Sequence, residues 1–498
     1  MATTHNIGTL ADAGLLREDT PAIAEKRTLR DKLFYGLGSI AYGVKDNGFS
    51  VLLMLFYNQA LGVPAAAVGF AIMIALIIDA ILDPLIGNWS DNFRSRFGRR
   101  HPFMYAAALP VAIGYYFLWN PPTSFSVDQM FWYLLGISIV IRIFISFYEI
   151  PSSALIVDLS RGYDDRTSFL SYRYFFGWVG GLTMGVAAFS IFLRPSAEDP
   201  SGQLNLMGYS NYGLTASLIM LAAILISSLG TQRLVKSFAA PPEKLPFVFA
   251  RSAREISQTL LNRPFLLLAG ATLFSYAATG IAMATLTYFR IYLWELTGDQ
   301  ISLLMIGNFA SILVALFFVP RLATKLGKKN TAIALWLATI VVSPAMYFGR
   351  VLDIVPANGT ELLFWMLFAS SFVSTVLSMG LGVIASSMLA DVVEHMAVRT
   401  GRHAAGLLFS VNAFMLKAIS GIGVFGAGLI LTFVQFPEGA KQGAVPADVL
   451  TKFALTEPTV VMICQVLAML MILGFPITRA VHEANLRKLD ERQVMPVN

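Results

Sequence analysis

Residues 66–89 read AAVGFAIMIALIIDAILDPLIGNW, with Asp79 and Asp83 as the only charges. A run of this length lets an α-helix cross ~30 Å of hydrocarbon, which takes ~20 residues. Asp79 and Asp83 stand four residues apart, on one face of that helix. Two carboxylates so close repel, and one takes up a proton unless a cation sits between them. Hard carboxylate oxygens suit a hard cation such as Na⁺ or Li⁺. The alternative use of the pair is structural, with both acids held by cationic side chains as packing devices. Pro84 follows directly and loosens the helix locally.

The rest of the chain repeats the apolar part of this pattern. Of its 498 residues, 56% are apolar and 13% charged, against ~25% charged in a soluble domain. That composition excludes a disordered chain, a coiled coil and an ordinary cytosolic enzyme, and points to a polytopic membrane protein. The single cysteine, Cys464, lies in an apolar run. It excludes a disulfide framework, a cysteine zinc site and an iron–sulfur cluster. Twelve long apolar stretches occur, at 33–61, 66–89, 102–120, 129–157, 168–193, 209–230, 264–293, 301–323, 330–349, 361–390, 403–434 and 457–478. A membrane β-barrel would show alternating segments of ~10 residues. These runs are longer, and in lipid each must satisfy its own backbone hydrogen bonds, so each is predicted to be a helix. The expectation is an all-α membrane protein of twelve transmembrane helices.

Twelve spans put both termini on one side. Most of the 36 Lys and Arg fall on that side. Examples are Arg94, Arg96, Arg99 and Arg100, then Arg161 and Arg166, Arg321, Lys325, Lys328 and Lys329, and Arg399 and Arg402. The other side holds Arg194, Arg290, Arg350, Lys441 and Lys452. By the positive-inside rule both termini are predicted to be cytoplasmic, in the plasma (inner) membrane. The net charge of +6 is thus a topology signal and no sign of nucleic acid. Residues 1–32 are polar and lack the short apolar core of a signal peptide.

The segment 231–263 is the longest polar interior stretch and divides the spans six and six. The expected organisation is an N-terminal tail (1–32), a first six-helix half (33–230), a central cytoplasmic loop (231–263), a second half (264–478) and a C-terminal tail (479–498). Arg96-Phe97-Gly98-Arg99-Arg100 after span two matches Lys325-Leu326-Gly327-Lys328-Lys329 after span eight. The glycine permits a tight turn and the basic residues anchor it at an anionic leaflet. With the symmetry of the spans, this suggests parallel halves of the major facilitator kind.

Eight ionisable residues lie deep in these spans: Lys45, Asp46, Asp79, Asp83, Arg142, Glu149, Arg173 and Lys417. Each would cost roughly 2.5–3.5 kcal/mol if it faced lipid alone, so they are expected to converge on one polar cavity. Arg142, Ser146 and Glu149 share a helix face. Ser146 offers a neutral oxygen to a cation beside the aspartates. Arg142 and Glu149 either neutralise one another or serve the site. Lys45 and Asp46 point about 100° apart and cannot serve only each other. Arg173 offers a five-donor fork to carboxylates or sugar hydroxyls. Lys417, the only deep charge of the second half, is either a built-in competitor for the cation or a structural tether. His395 and His403 read as solvated loop residues. Asp158, Arg161, Asp164, Asp165 and Arg166 read as either a latch between states or a solvated loop.

Six of these segments, in order, resemble the glycoside–pentoside–hexuronide:cation symporters of the major facilitator superfamily, the melibiose permease-like family. They are Gly43-Val44-Lys45-Asp46, the run Asp79 to Gly87 with Arg94 to Gly98, Glu149-Ile150-Pro151, Ser171-Tyr172-Arg173, Ala390-Asp391-Val392-Val393-Glu394, and Lys417. The resemblance implies a cation site at Asp79 and Asp83, completed by Ser146 where relatives use threonine. It implies substrate contacts from Lys45, Asp46, Glu149 and Arg173, with Lys417 near both sites; Arg142, by its own place among the deep charges, is expected to act with Lys417 in coupling. Glu149 replaces an aspartate, and Leu82 stands where melibiose permease has asparagine. Ser153 and Gly382 stand where it presents tryptophans, for which Tyr42, Tyr148, Tyr172 and Trp178 are substitutes.

The resulting expectation is a Na⁺- or H⁺-coupled symporter of a sugar, glycoside or uronide, acting as a monomer without a cofactor. A lysolipid carrier is the alternative on the same fold. A membrane sensor is the rival of another class, but the tails are too short for a large signalling domain. No nucleophile–base set, Walker loop or metal-ligand spacing appears, so an enzyme is not expected.

Overall fold

The computed structural model describes residues 28–160, 163–196, 199, 201–235, 262–400 and 405–494. All regular elements among them are helical. Among the described residues ten helices are long and apolar enough to cross a bilayer. The expected stretch 102–120 is also a helix, His101–Leu118, whose histidine, tyrosines and prolines lower its apolarity. The expected stretch 33–61 is helical but broken. It runs as α1 (Leu29–Leu37) and α2 (Ser39–Asn47), then in wider π-type turns at Gly48–Leu52 and Phe56–Ala60. Such turns disturb the regular ladder and occur often at functional sites.

The remaining order is α3 (Ala65–Asn92), α4 (His101–Leu118), α5 (Val127–Ala154), α6 (Tyr163–Ala187), α7 (Leu206–Gln232), α8 (Arg263–Tyr288), α9 (Gly298–Leu326), α10 (Lys328–Val351), α11 (Glu361–Thr400), α12 (Ala405–Phe433), α13 (Ala447–Leu473) and α14 (Arg479–Val494). The central segment between α7 and α8 lies mostly outside the described residues, as do most of the N-terminal tail, Arg161, Arg402 and His403.

Three boundaries differ from expectation. α1 starts at Leu29, fixed by a capping box between Thr28 and Asp31. α11 continues ten residues past 390, so Asp391, Glu394 and His395 lie on a helix and not in a loop. His395 bonds to Asn485 of α14. α13 begins at Ala447, not 457, because Asp448 and Lys452, which read as loop residues, sit on its exposed first turns as an i,i+4 pair.

Packing sorts the helices into two sets with the same pairings. α1 and α2 lie on α6, α3 lies on α5, and α4 lies on α5 and α7; likewise α8 lies on α12, α9 on α11, and α10 on α11 and α13. The sets meet chiefly through α3 and α12, and through α6 and α9. Close approach needs glycine where α2 crosses α6: a Cβ on Gly43 would stand 1.9 Å from the Gly177 carbonyl oxygen. The matching glycines of the basic turns, Gly98 and Gly327, take φ of 86° and 80°, a conformation open to glycine at little cost.

At the end opposite the chain termini one apolar core joins both sets, through Phe56, Trp119, Tyr288, Phe289, Phe436 and Phe453. On the terminal side the cores are separate. One gathers Tyr35, Leu155, Leu159 and Phe169 of the first set, the other only residues of the second. The opposite end is also knotted by polar contacts. Gln59 donates to Asn58 Oδ1 (2.7 Å) and to the Pro437 carbonyl (3.1 Å), and Tyr288 donates to Asn58 Oδ1 (2.8 Å).

Candidate functional site

α3 runs unbroken through Pro84 and carries Asp79 and Asp83 to the junction with α5 and α12. Asp79 is 3% exposed. Ser146 Oγ lies 2.8 Å from Asp79 Oδ1 and 2.8 Å from Asp83 Oδ1. Arg142 Nη1 donates to Asp79 Oδ2 at 3.3 Å, and its guanidinium lies 4.7 Å over the Phe49 ring. Lys417 donates to Asp79 Oδ2 at 3.2 Å and also to Asp83 Oδ2. Five of the expected residues therefore form one cluster, with Arg142 paired to Asp79 and not to Glu149. Two carboxylates face two cations, so the cluster is formally neutral.

Hydrogen counting adds a constraint. The Ser146 hydroxyl has one proton but touches two carboxylates. It can donate to only one. The second contact needs a proton on a carboxyl group or a cation between the oxygens. Lys417 and Arg142 already balance the two carboxylates, so a further cation fits there only if Lys417 moves away.

The other four expected residues are more dispersed. Lys45 is buried and pairs with Asp46 at 2.7 Å, while the Asp46 side chain is largely exposed. Lys45 and Asp46 thus pair with each other, although Glu149 also acts on Lys45, so the pair is not closed on itself. The four-carbon lysine stem bends across the angle between them. Glu149 is close enough to act on the charges of Lys45, Arg173 and Lys417, but among the described residues no ion pair reaches its carboxylate. Arg173 donates to Ser152 Oγ (3.2 Å) and Ser153 Oγ (2.5 Å) and lies over the rings of Tyr35 and Tyr42.

A cavity of about 520 Å³ opens between the two sets, with Tyr42, Asp46, Tyr174 and Trp178 on one wall and Arg290 and Asn308 on the other. Of the four expected substrate residues only Asp46 lines it. Tyr42 and Trp178 do so as anticipated, Tyr148 and Tyr172 do not, and Tyr174 is an addition. A second cavity of about 290 Å³ lies within the second set and is lined by serines, Tyr347, Glu457 and again Arg290.

Sequence reading missed Arg290 and Glu457. Both are buried, at 5% and 3% exposure, so Lys417 is not the only deep charge of the second set. Glu457 accepts a hydrogen bond from Thr285 Oγ1 at 2.9 Å. Glu457 stands at the edge of an apolar run that reads as the start of a span, while the helix begins ten residues earlier; Arg290 falls inside the run 264–293 but reads with the charges of the loop side. The expected acidic–basic cluster after α5 also forms differently. Asp158 pairs with Arg99 (2.9 Å) and Arg100 (2.6 Å), Arg100 with Asp91, and Asp165 with Lys32. Arg161 lies outside the described residues and the Asp164 side chain is not described.

Comparison with known proteins agrees with this architecture. A family model described as MFS/sugar transport protein matches residues 34–479. An uncharacterized symporter of Synechocystis sp. is 25% identical, covering 94% of this chain and 98% of that protein. A putative glycoside/cation symporter of Escherichia coli K12 is 24% identical over 93% of this chain and 95% of its own. An isoprimeverose transporter of Lactiplantibacillus pentosus is 24% identical over 83% and 82%. Among solved structures, a D-xylose–proton symporter superposes with a TM-score of 0.62 at 14% identity, covering 90% of this chain and 98% of that one. The inward open xylose transporter of E. coli gives 0.61 at 14% identity, over 92% and 98%. These likenesses show a shared transporter fold, and the match over nearly the whole chain shows that this protein belongs to the MFS/sugar transport protein family.

Proposed function

We propose that the protein is a cation-coupled symporter of a sugar or glycoside, built of twelve spans in two six-helix halves and working by alternating access with both termini in the cytoplasm. The observation that carries this reading is the cluster of Asp79, Asp83, Ser146 and Lys417. Its carboxylates gather where three helices from both sets meet, and Lys417 occupies the place of a coupling cation. Na⁺ or H⁺ binding at Asp79 and Asp83 displaces Lys417. The released amine is drawn to Glu149, whose carboxylate has no ion pair of its own among the described residues. Glu149 also faces Lys45 and Arg173, so the event at the aspartates reaches the residues proposed to hold substrate. With the termini cytoplasmic, the joined core at the opposite end describes an inward-facing state.

The coupling must be reciprocal: cation tightens solute, and solute tightens cation by the same factor. Support for a hydroxyl-rich solute comes from the Tyr42 and Trp178 rings beside Asp46 on the cavity wall, since aromatic faces pack against sugar rings. The relatives described as glycoside or isoprimeverose transporters point the same way. A thermal-shift screen of the purified protein against sugars, glycosides, uronides and lysolipids, with and without Na⁺ and across pH, tests the proposal. A sugar or glycoside shift that grows with cation is expected. A lysolipid shift without any sugar shift would replace the substrate class.

A further inference from the structure

We infer that Arg290 is an anchor for a carboxylate carried by the transported solute. This rests on the symporter reading above and narrows its substrate class. Arg290 lies in the wide turn Phe289–Leu293 that ends α8 and is 5% exposed. Among the described residues the other deeply buried lysines and arginines all have partners. Arg100 meets Asp158, Arg142 meets Asp79, Lys45 meets Asp46, and Arg173 meets Ser152 and Ser153. Among the described residues no carboxylate lies within ion-pair distance of Arg290, and no hydrogen-bond acceptor is assigned to its guanidinium. A lone buried charge is costly unless a partner compensates it.

The position of Arg290 says where that partner comes from. It borders both cavities, whose walls also share Met283, Leu286, Asn308, Thr375 and Met379. The two cavities adjoin at these residues, and Arg290 stands in the wall of both. Asp46 on the facing wall is already neutralised by Lys45, and Glu457 in the second cavity accepts a bond from the neutral Thr285 hydroxyl and makes no ion pair with Arg290 among the described residues. Neither supplies the missing anion. A guanidinium presents a planar fork that matches a carboxylate with two parallel hydrogen bonds. The hydroxyls of Ser343, Ser374 and Ser378 line the adjoining cavity and suit the rest of a polyhydroxylated solute. The fitting ligand is a sugar acid or the glycoside of one, moved with one cation as a neutral pair.

The test is isothermal titration of the purified full-length protein, in Na⁺ buffer, with methyl β-D-glucopyranosiduronate and with methyl β-D-glucopyranoside. These differ only at C6, a carboxylate in the first and a hydroxymethyl group in the second. The wild type is expected to prefer the uronide by ~10-fold or more, the usual scale of a charge-assisted bond. Arg290→Gln is expected to remove that preference and Arg290→Lys to keep part of it. Because Arg290→Gln deletes an unpaired buried charge, its ligand-free melting temperature is expected to stay level or rise. Equal binding of both glycosides by the wild type, or an undiminished preference in Arg290→Gln, overturns the anchor and leaves the symporter reading intact. A steep drop in the ligand-free melting temperature would assign Arg290 a structural role and also overturn it. If neither glycoside binds, the sugar reading falls and the anchor falls with it.

Discussion

Lys417 Nζ lies 3.2 Å from Asp79 Oδ2, so a lysine of α12 sits where a coupling ion would meet the acids of α3. An amine and a metal ion cannot share that space. Lys417→Ala is therefore expected to leave Asp79 and Asp83 facing each other with only Arg142 to compensate, and to raise their appetite for a cation. Cation affinity, measured by Na⁺ or H⁺ titration of the purified protein, should increase by ~5–150-fold, the range of typical coupling energies. Its dependence on solute should disappear. An unchanged affinity would mean that Lys417 does not compete.

Ser146 joins the two acids through a single hydroxyl. Ser146→Ala removes the neutral oxygen that stands beside both carboxylates as a further ligand for the cation, an interaction of the order of a hydrogen bond to a charged group, about 1.5–3 kcal/mol. Cation affinity is expected to fall by ~10-fold or more, while Ser146→Thr, which keeps the hydroxyl, should stay near wild type. Equal effects of Ala and Thr would show that side-chain size matters there and the oxygen does not.

The polar knot opposite the termini is expected to set the resting state. Gln59 binds Asn58, Pro437, Ala440 and Tyr292 together. Each bond contributes about 0.5–1.5 kcal/mol net, so Gln59→Ala should shift the population toward a form open on that side. Spin labels on Thr123→Cys and Leu352→Cys, in a Cys464→Ser background, report the change. A longer distance population in Gln59→Ala is the expected outcome; identical distributions would remove Gln59 from the gate.

Helix crossing at Gly43 is predicted to be intolerant. Gly43→Ala places a methyl group 1.9 Å from the Gly177 oxygen, whereas a Cβ at Gly136 meets nothing within 4 Å. Thermal unfolding of both variants in detergent should show a large loss for Gly43→Ala and little change for Gly136→Ala. A tolerated Gly43→Ala would mean that α2 and α6 can separate without cost.

Much of this organisation is legible in the sequence because hydrocarbon imposes a simple rule: long apolar runs become helices, and charges within them must meet. Of the eight deep charges that rule would bring together, Asp79, Asp83, Arg142 and Lys417 do meet, while Lys45, Asp46, Glu149 and Arg173 stand apart from them. It fails where a charge falls at the edge of an apolar run. Glu457 falls ten residues inside α13, and Arg290 occupies a buried turn at the end of α8; local hydropathy cannot tell either place from a loop. Nor can spacing foresee that Lys45 folds back onto Asp46, since the reach of a flexible stem is not a property of helix phase. Which residues face the cavity depends on the crossing of α2, α6, α8 and α9, a tertiary relation outside any single run.

The most direct test of the coupling site is uptake by proteoliposomes containing Asp83→Asn, using a solute identified in the binding screen, with and without an imposed cation gradient. The account predicts that this variant still exchanges solute across the membrane at equal concentrations but no longer accumulates it uphill when the gradient is applied. Accumulation equal to that of the wild type would contradict it.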